Sequence, residues 1–189
     1  MRNILTILLL LFLVGCSQGD SETLTPQRKY ADLLESDGKG ELIMVSHDPD
    51  FKFDSPCAFI NKGGVTIIPF GKYTIWDSVN FVSYAMVKAP NGIVGINREG
   101  EVMFDAFLFG DFQIDQPSEG MFRVRRNGEI GFANSSGKVV IPCKYRCAKP
   151  FLNGQAKVAL NCKYLKDDIG HVKTESSEWF YINKQGERH

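Results

Sequence analysis

A strand–turn–strand motif recurs along this chain and limits what it can fold into. Its clearest copy is GFANSSGKVVIP at 131–142, which reads as a strand, a tight turn containing Gly137, and a second strand ending at Pro142. Degenerate copies place Asn61 before Gly63 and Gly64, then Val65, Thr66, Ile67, Ile68 and Pro69. Others place Asn97 before Gly100, then Val102, Met103 and Phe104, and Asn183 before Gly186 and Glu187. An apolar stretch precedes each asparagine, at 58–60, 93–96, 130–133 and 179–182. The steps between asparagines are 97 − 61 = 36, 134 − 97 = 37 and 183 − 134 = 49. A period of about 20–50 residues is the signature of a stacked array, a propeller or a run of hairpins.

A further strand-like stretch precedes each motif, at 42–45, 84–87, 121–124 and 156–159. The expected unit is therefore strand, strand, tight turn, strand, then a connection containing proline and aromatics. Asn and Gly suit the turn because both tolerate positive φ. Proline is expected to close the third strand, since it cannot donate to a ladder. A period of two places Val139 and Ile141 on one face and Lys138 and Val140 on the other. The expected fold class is all-β: about four repeated three-stranded hairpin or meander units within 41–189, at 41–75, 82–116, 120–152 and 155–187. They stack as an array or close partly like a propeller, the last shortened after Asn183.

The best copy, Ile130-Gly131-Phe132-Ala133-Asn134 through Lys144 and Tyr145, then Phe151, Gly154, Ala156 and Val158, resembles the WG-containing repeat family. The resemblance extends over roughly 40–187, although the Trp-Gly pair itself is intact nowhere: Phe180 follows Trp179, and Ile130 precedes Gly131. It implies a repeated β architecture and brings no catalytic residues with it.

The first residues carry a different signal. Arg2 is followed by an apolar run at 4–14 interrupted only by Thr6, too short for a stop-transfer helix and flanked like a signal peptide. Leu13, Val14, Gly15 and Cys16 resemble a bacterial lipobox. That resemblance implies cleavage after 1–15, diacylation of Cys16 and acylation of the new amino terminus with chains such as palmitate. Ser17 next to the cysteine implies outer-membrane rather than inner-membrane retention. Residues 16–25 are expected as a polar tether. At 26–40 a short helical cap is expected: Thr25 suits an N-cap, Pro26 the first helical position, and Tyr30, Leu33 and Leu34 share a face. It would cover the edge of the first unit, as terminal units of such arrays require.

Lys plus Arg and Asp plus Glu both number 22, and no basic run is interleaved with aromatics, so nucleic acid is not an expected partner. No G-x-S-x-G elbow, P-loop, dinucleotide fingerprint or H-E-x-x-H occurs, and no cofactor is implied. His47, Asp48, Asp50 and Asp54 cluster at 46–55. They lack the glycine and terminal glutamate of an EF-hand loop, so a solvated turn rather than a metal site is expected. Aromatics crowd the connections at 70–81 and 104–114: Phe70, Tyr73, Trp76, Phe81, Phe104, Phe107, Phe109 and Phe112. The expectation is that they fill the core between hairpins rather than form a gripping surface.

Beyond Cys16, four cysteines remain: Cys57, Cys143, Cys147 and Cys162. An even number in an exported domain allows disulfides. A bridge from Cys143 or Cys147 to Cys162 fits the strand order, while Cys57 suits a buried apolar position. The segment at 163–177 lengthens the last unit and reads as an exposed hairpin tip or loop. With Asp167, Asp168, His171 and Glu175, it is the candidate partner-contacting element. The functional expectation is a lipid-anchored binding or scaffold module of a bacterial cell envelope, facing the periplasm or the surface, with a protein or glycan partner. Two alternatives stand beside it. One is a glycan hydrolase of the envelope using Asp105, Asp111 or Asp115 as paired acids; the other is a purely structural envelope protein.

Overall fold

A computed structural model describes residues 40–77, 80–109, 113–166 and 172–188. The leader, Cys16, the tether and the expected helix at 26–40 lie outside the described residues, as do Asp111, Phe112, Asp167, Asp168 and His171. The described chain is all-β. Unit 1 comprises β1 (Ile43–Ser46), β2 (Pro56–Ile60) and β3 (Thr66–Ile75), and unit 2 comprises β4 (Ala85–Ala89), β5 (Gly92–Ile96) and β6 (Val102–Ala106). A small hairpin, β7 (Leu108–Phe109) and β8 (Gln113–Ile114), leads to unit 3: β9 (Met121–Arg126), β10 (Glu129–Asn134) and β11 (Val139–Tyr145). Then β12 (Cys147–Ala148) continues the third strand of unit 3 beyond β11, and β13 (Ala156–Ala159), β14 (Lys163–Lys166), β15 (Val172–Glu175) and β16 (Phe180–Ile182) form unit 4 and its insertion.

The strands form an open antiparallel meander. Nine of them make one sheet in the order β1-β2-β3-β4-β5-β6-β9-β10-β11, and β12-β13-β16 make a second. Each unit hands over to the next in one way. The end of a third strand pairs with the first strand of the following unit: Ile75 with Val87, Ala106 with Val124, and Ala148 with Val158.

Three hydrophobic cores lie between successive units. The first joins Leu42, Met44, Phe59 and Ile68 of unit 1 to Val87, Val94 and Ile96 of unit 2. The second joins Tyr84, Met86 and Phe104 of unit 2 to Phe122, Val124 and Ala133 of unit 3. The third joins Phe132, Ile141 and Tyr145 of unit 3 to Ala156, Val158 and Ile182 of unit 4. Units 2 and 3 are therefore apolar on both faces, which is why 93–96 and 130–133 read as unbroken apolar runs rather than alternating ones. In these two units one face of the second strand meets the unit before, the other the unit after. Burying each large side chain is worth roughly 1.5–3 kcal/mol, so the array is held chiefly by these inter-unit layers.

Four turns share one geometry. In each, the asparagine Oδ1 accepts from the amides two and four residues on: for Asn134, from Ser136 at 3.1 Å and Lys138 at 3.0 Å. Asn61, Asn97 and Asn183 repeat this with Gly63 and Val65, Glu99 and Glu101, and Gln185 and Glu187. The left-handed residue is the glycine, with φ of 76° at Gly64, 72° at Gly100, 80° at Gly137 and 82° at Gly186. The asparagines themselves are not left-handed. The expectation that both residue types supply positive φ is corrected: the asparagine is there for its acceptor oxygen.

The third strands depart from the sequence reading in two ways. Pro69 and Pro142 lie inside β3 and β11 rather than closing them. They fit because the ladder skips there, from Phe59↔Ile68 to Cys57↔Tyr73 and from Phe132↔Ile141 to Ile130↔Tyr145. A bulge also sits one step earlier in all three complete units, between the pairs Ile60↔Thr66 and Phe59↔Ile68, Ile96↔Val102 and Gly95↔Phe104, and Ala133↔Val139 and Phe132↔Ile141. It breaks the period of two, so Val139 packs toward unit 2 and Ile141 toward unit 4 instead of sharing a face.

Of the connection aromatics, Tyr73, Phe81, Phe104 and Phe107 are buried, whereas Phe70 and Phe109 are exposed and Trp76 is half-buried against Phe53. Residues 70–75 belong to β3 rather than to a link.

Candidate functional site

Unit 4 joins its first two strands differently from units 2 and 3. In units 2 and 3 the first two strands are joined by two-residue turns, closed by the pairs Ala89↔Gly92 and Arg126↔Glu129. In unit 4 the last pair is Val158↔Phe180, and the chain between them folds out as the β14–β15 hairpin. A disulfide from Cys147 in β12 to Cys162 fixes its base. The Tyr164 hydroxyl donates to the Arg146 carbonyl at 2.7 Å, and Lys149 Nζ donates to Thr174 Oγ1 at 3.1 Å. Both hairpin strands are thus tied to the short segment around β12.

The hairpin presents apolar surface: Tyr164 is 48% and Leu165 42% exposed, with Leu160 at 51% beside them. Glu175, expected in the partner-contacting set, is an exposed residue of β15 paired with Lys173 at 3.1 Å. The other three of that set lie outside the described residues. Tyr164 and Leu165 were not singled out from sequence, because nothing in the local sequence shows whether a face of the hairpin is covered.

Cys143 is a free thiol in β11 and Cys57 a free, buried one in β2. Burial pushes the Cys57 thiol up to about 11 and raises that of Cys143 as well. Cys143 lines a cavity of about 270 Å³ with Met103, Phe104, Arg126 and Pro142. A second cavity, about 310 Å³, lies between Trp76, Asp77, Tyr84, Met86, Asp115 and Phe122.

Two of the three candidate acids are described, and they differ in setting. Asp105 is exposed on β6. Asp115 is buried and engaged by Arg123, whose Nη2 lies 2.5 Å from Oδ1 and whose Nε and backbone amide lie 3.0 and 2.8 Å from Oδ2. The same guanidinium donates to the Ala148 carbonyl at 3.1 Å and lies 4.2 Å over the Phe107 ring. Asp115 therefore joins the β8–β9 connection to the unit 3–unit 4 interface.

In the first loop Asp48 accepts from Ser55 Oγ and from the amides of Asp50 and Lys52, and the Ser55 hydroxyl is the main reason its pKa is lowered. Asp50 pairs with Lys52 and Asp54 with Lys88, so these carboxylates turn to separate partners. Among the described residues no cluster of three or more His, Cys, Asp or Glu could hold a metal ion.

Glu119 was not singled out from sequence. Its carboxylate accepts from the Gly154 amide at 2.9 Å, and that bond is the first cause of its lowered pKa. Lys184 Nζ lies 2.8 Å from the Glu119 carbonyl, so one residue couples the start of unit 3 to two turns of unit 4.

No curated protein and no solved structure matches the chain. The family model of the WG containing repeat matches residues 130–164, the stretch from β10 into β14, and the chain is a β module that carries this repeat.

Proposed function

We propose that this chain is a lipid-anchored binding or scaffold module of a bacterial cell envelope, held to the membrane through Cys16 and contacting an envelope protein through the β14–β15 hairpin. The lipobox-like run ending at Cys16 supports the anchor, since two or three acyl chains hold a protein stably where one does not. A disulfide at the base of the hairpin suits an oxidising, exported setting. The observation that carries the partner reading is the construction of the hairpin. It replaces a two-residue turn, is fixed at its base by Cys147–Cys162, and offers Tyr164 and Leu165 to solvent. A rigid array presenting one distinctive loop is how binding specificity is commonly placed on a repeated scaffold.

The test is crosslinking of the full-length lipidated protein in native membranes, read by mass spectrometry, for wild type, a 163–177 deletion and Cys16→Ala. The expected result is an acylated Cys16, a reproducible envelope partner lost on deletion with the fold retained, and release from the membrane in Cys16→Ala. An unmodified Cys16 would remove the anchor, and crosslinks unchanged by the deletion would remove the hairpin from the interface.

A further inference from the structure

The outward face of unit 4 departs from the pattern of unit 3 at a pair of positions that can be set in register. The turns before β9 and β13 correspond, with Glu119 and Gly120 matching Asn153 and Gly154 in left-handed conformations, and the bridges Ser118↔Met121 and Leu152↔Gln155 matching too. Arg123 on β9 then corresponds to Lys157 on β13, and the ladder pairs Ala106↔Val124 and Ala148↔Val158 set Lys149 at the place of Phe107, before the β7–β8 hairpin that Asp115 closes.

In unit 3 Arg123 forms the buried ion pair with Asp115 and is laid against the Phe107 ring. In unit 4 the cation persists at Lys157, and a second cation, Lys149, stands in the place of Phe107. Lys157 Nζ lies 5.6 Å from the centre of the Trp179 ring and 5.9 Å from that of Tyr181. Lys149 Nζ lies 5.9 Å from the same Trp179 ring. Two ammonium groups thus lie within 6 Å of the centre of one indole; Lys149 also donates to Thr174 Oγ1, and neither is paired with a carboxylate among the described residues. The indole favours each cation, but like charges held together oppose each other. An anion between them removes that opposition.

The face also offers a flat ring. Tyr181, on the same side of the strand as Trp179, is 47% exposed. This is the face that, in units 1 to 3, meets the following unit. Here its strands are only two to four residues long, too small an area by itself for a stable protein interface of about 800 Å² per partner. We infer that this face binds a carboxylate-bearing saccharide, its carboxylate between Lys149 and Lys157 and its sugar ring on Tyr181. The inference goes beyond the hairpin reading: it concerns the face beside the hairpin, although Lys149 also holds the hairpin through Thr174.

The experiment is equilibrium binding of the full-length protein in detergent to polygalacturonate, with neutral dextran and poly-glutamate as comparisons, for wild type, Lys149→Asp and Tyr181→Ser. Lys149→Asp sets an acid beside Lys157, so Lys157 gains an internal partner, and gives up the Lys149–Thr174 bond to the hairpin. It should keep the fold and bind polygalacturonate at least tenfold more weakly. Tyr181→Ser, at an exposed position, should also weaken binding at least threefold. Dextran should not bind. Failure of wild type to bind polygalacturonate, equal binding by both variants, or equal binding of poly-glutamate would each overturn the inference. A hairpin-dependent crosslink surviving that failure would leave the protein-partner reading standing.

Discussion

Gly186, in the turn of unit 4, stands on Ile141 of the unit before it: a Cβ added there would lie 3.3 Å from Ile141 Cγ2. Gly100 stands on Ile68 in the same way, at 3.1 Å. Ile68 and Ile141 are equivalent third-strand residues, seven beyond Asn61 and Asn134. In these two turns the glycine therefore does two things at once: it supplies a left-handed residue and lets the turn seat on its neighbour.

These two roles separate at Gly64 and Gly137. Gly64 has positive φ and open space beyond it, whereas a Cβ at Gly137 would overlap the Tyr84 ring. Gly64→Ala should cost only the left-handed strain, about 1–2 kcal/mol. Gly137→Ala should add overpacking of about 1–3 kcal/mol. Urea denaturation of the two variants checks this; equal losses would mean that Tyr84 moves aside freely.

The turn asparagines should be separable from the turn glycines by chemistry. Asn134→Ala removes the oxygen that accepts from Ser136 and Lys138 and should cost about 1 kcal/mol, because water can reach the exposed amides. Asn134→Asp keeps an acceptor and should recover most of that loss. If the two variants unfold at the same denaturant concentration, the acceptor role is refuted.

Those turns were legible because one local signal, Asn followed at three residues by Gly, fixes them. The bulge at Val140 was not, because counting alternate residues assumes that every residue is paired. Pro142 misled for the same reason: a proline forbids a ladder bond but not a strand that skips one. The Asp115–Arg123 pair was hidden by its dependence on how the unit 2–unit 3 connection folds back. The hairpin insertion was legible from the step of 49, whereas its exposed Tyr164 and Leu165 were not.

Cys57 gives a pH prediction. Burial raises its thiol from the ordinary 9.0 to about 11, so folding favours the neutral form. The stabilisation is fully present below pH 9 and is lost as pH rises toward 11. Tyr73 and Tyr84, also raised by burial, act in the same direction from about pH 10 upward. Stability should therefore decline across that alkaline window, and Cys57→Ala should lessen the decline between pH 9 and 11. Native Cys57 should also resist alkylation at pH 8 until denaturant is added. Rapid native labelling would show that the unit 1–unit 2 core opens readily.

The Asp115–Arg123 pair should be the most damaging polar contact to cut. Its side chains are only 5% and 11% exposed, so removing one partner leaves a charge that water cannot reach. Asp115→Ala should cost about 3–5 kcal/mol, well above the loss for an exposed pair such as Lys173–Glu175, worth about 1 kcal/mol or less. The pair's net worth is a separate matter, because both groups were desolvated to form it. Replacing both, as in Asp115→Leu with Arg123→Met, should restore much of the stability lost in Asp115→Ala. Arg123 also donates to Ala148 and covers Phe107, so the double variant should still loosen the unit 3–unit 4 junction. Hydrogen exchange at the β12 and β13 amides would report that loosening. A double variant no more stable than Asp115→Ala would show that these further Arg123 contacts, rather than an unpaired charge, account for the loss.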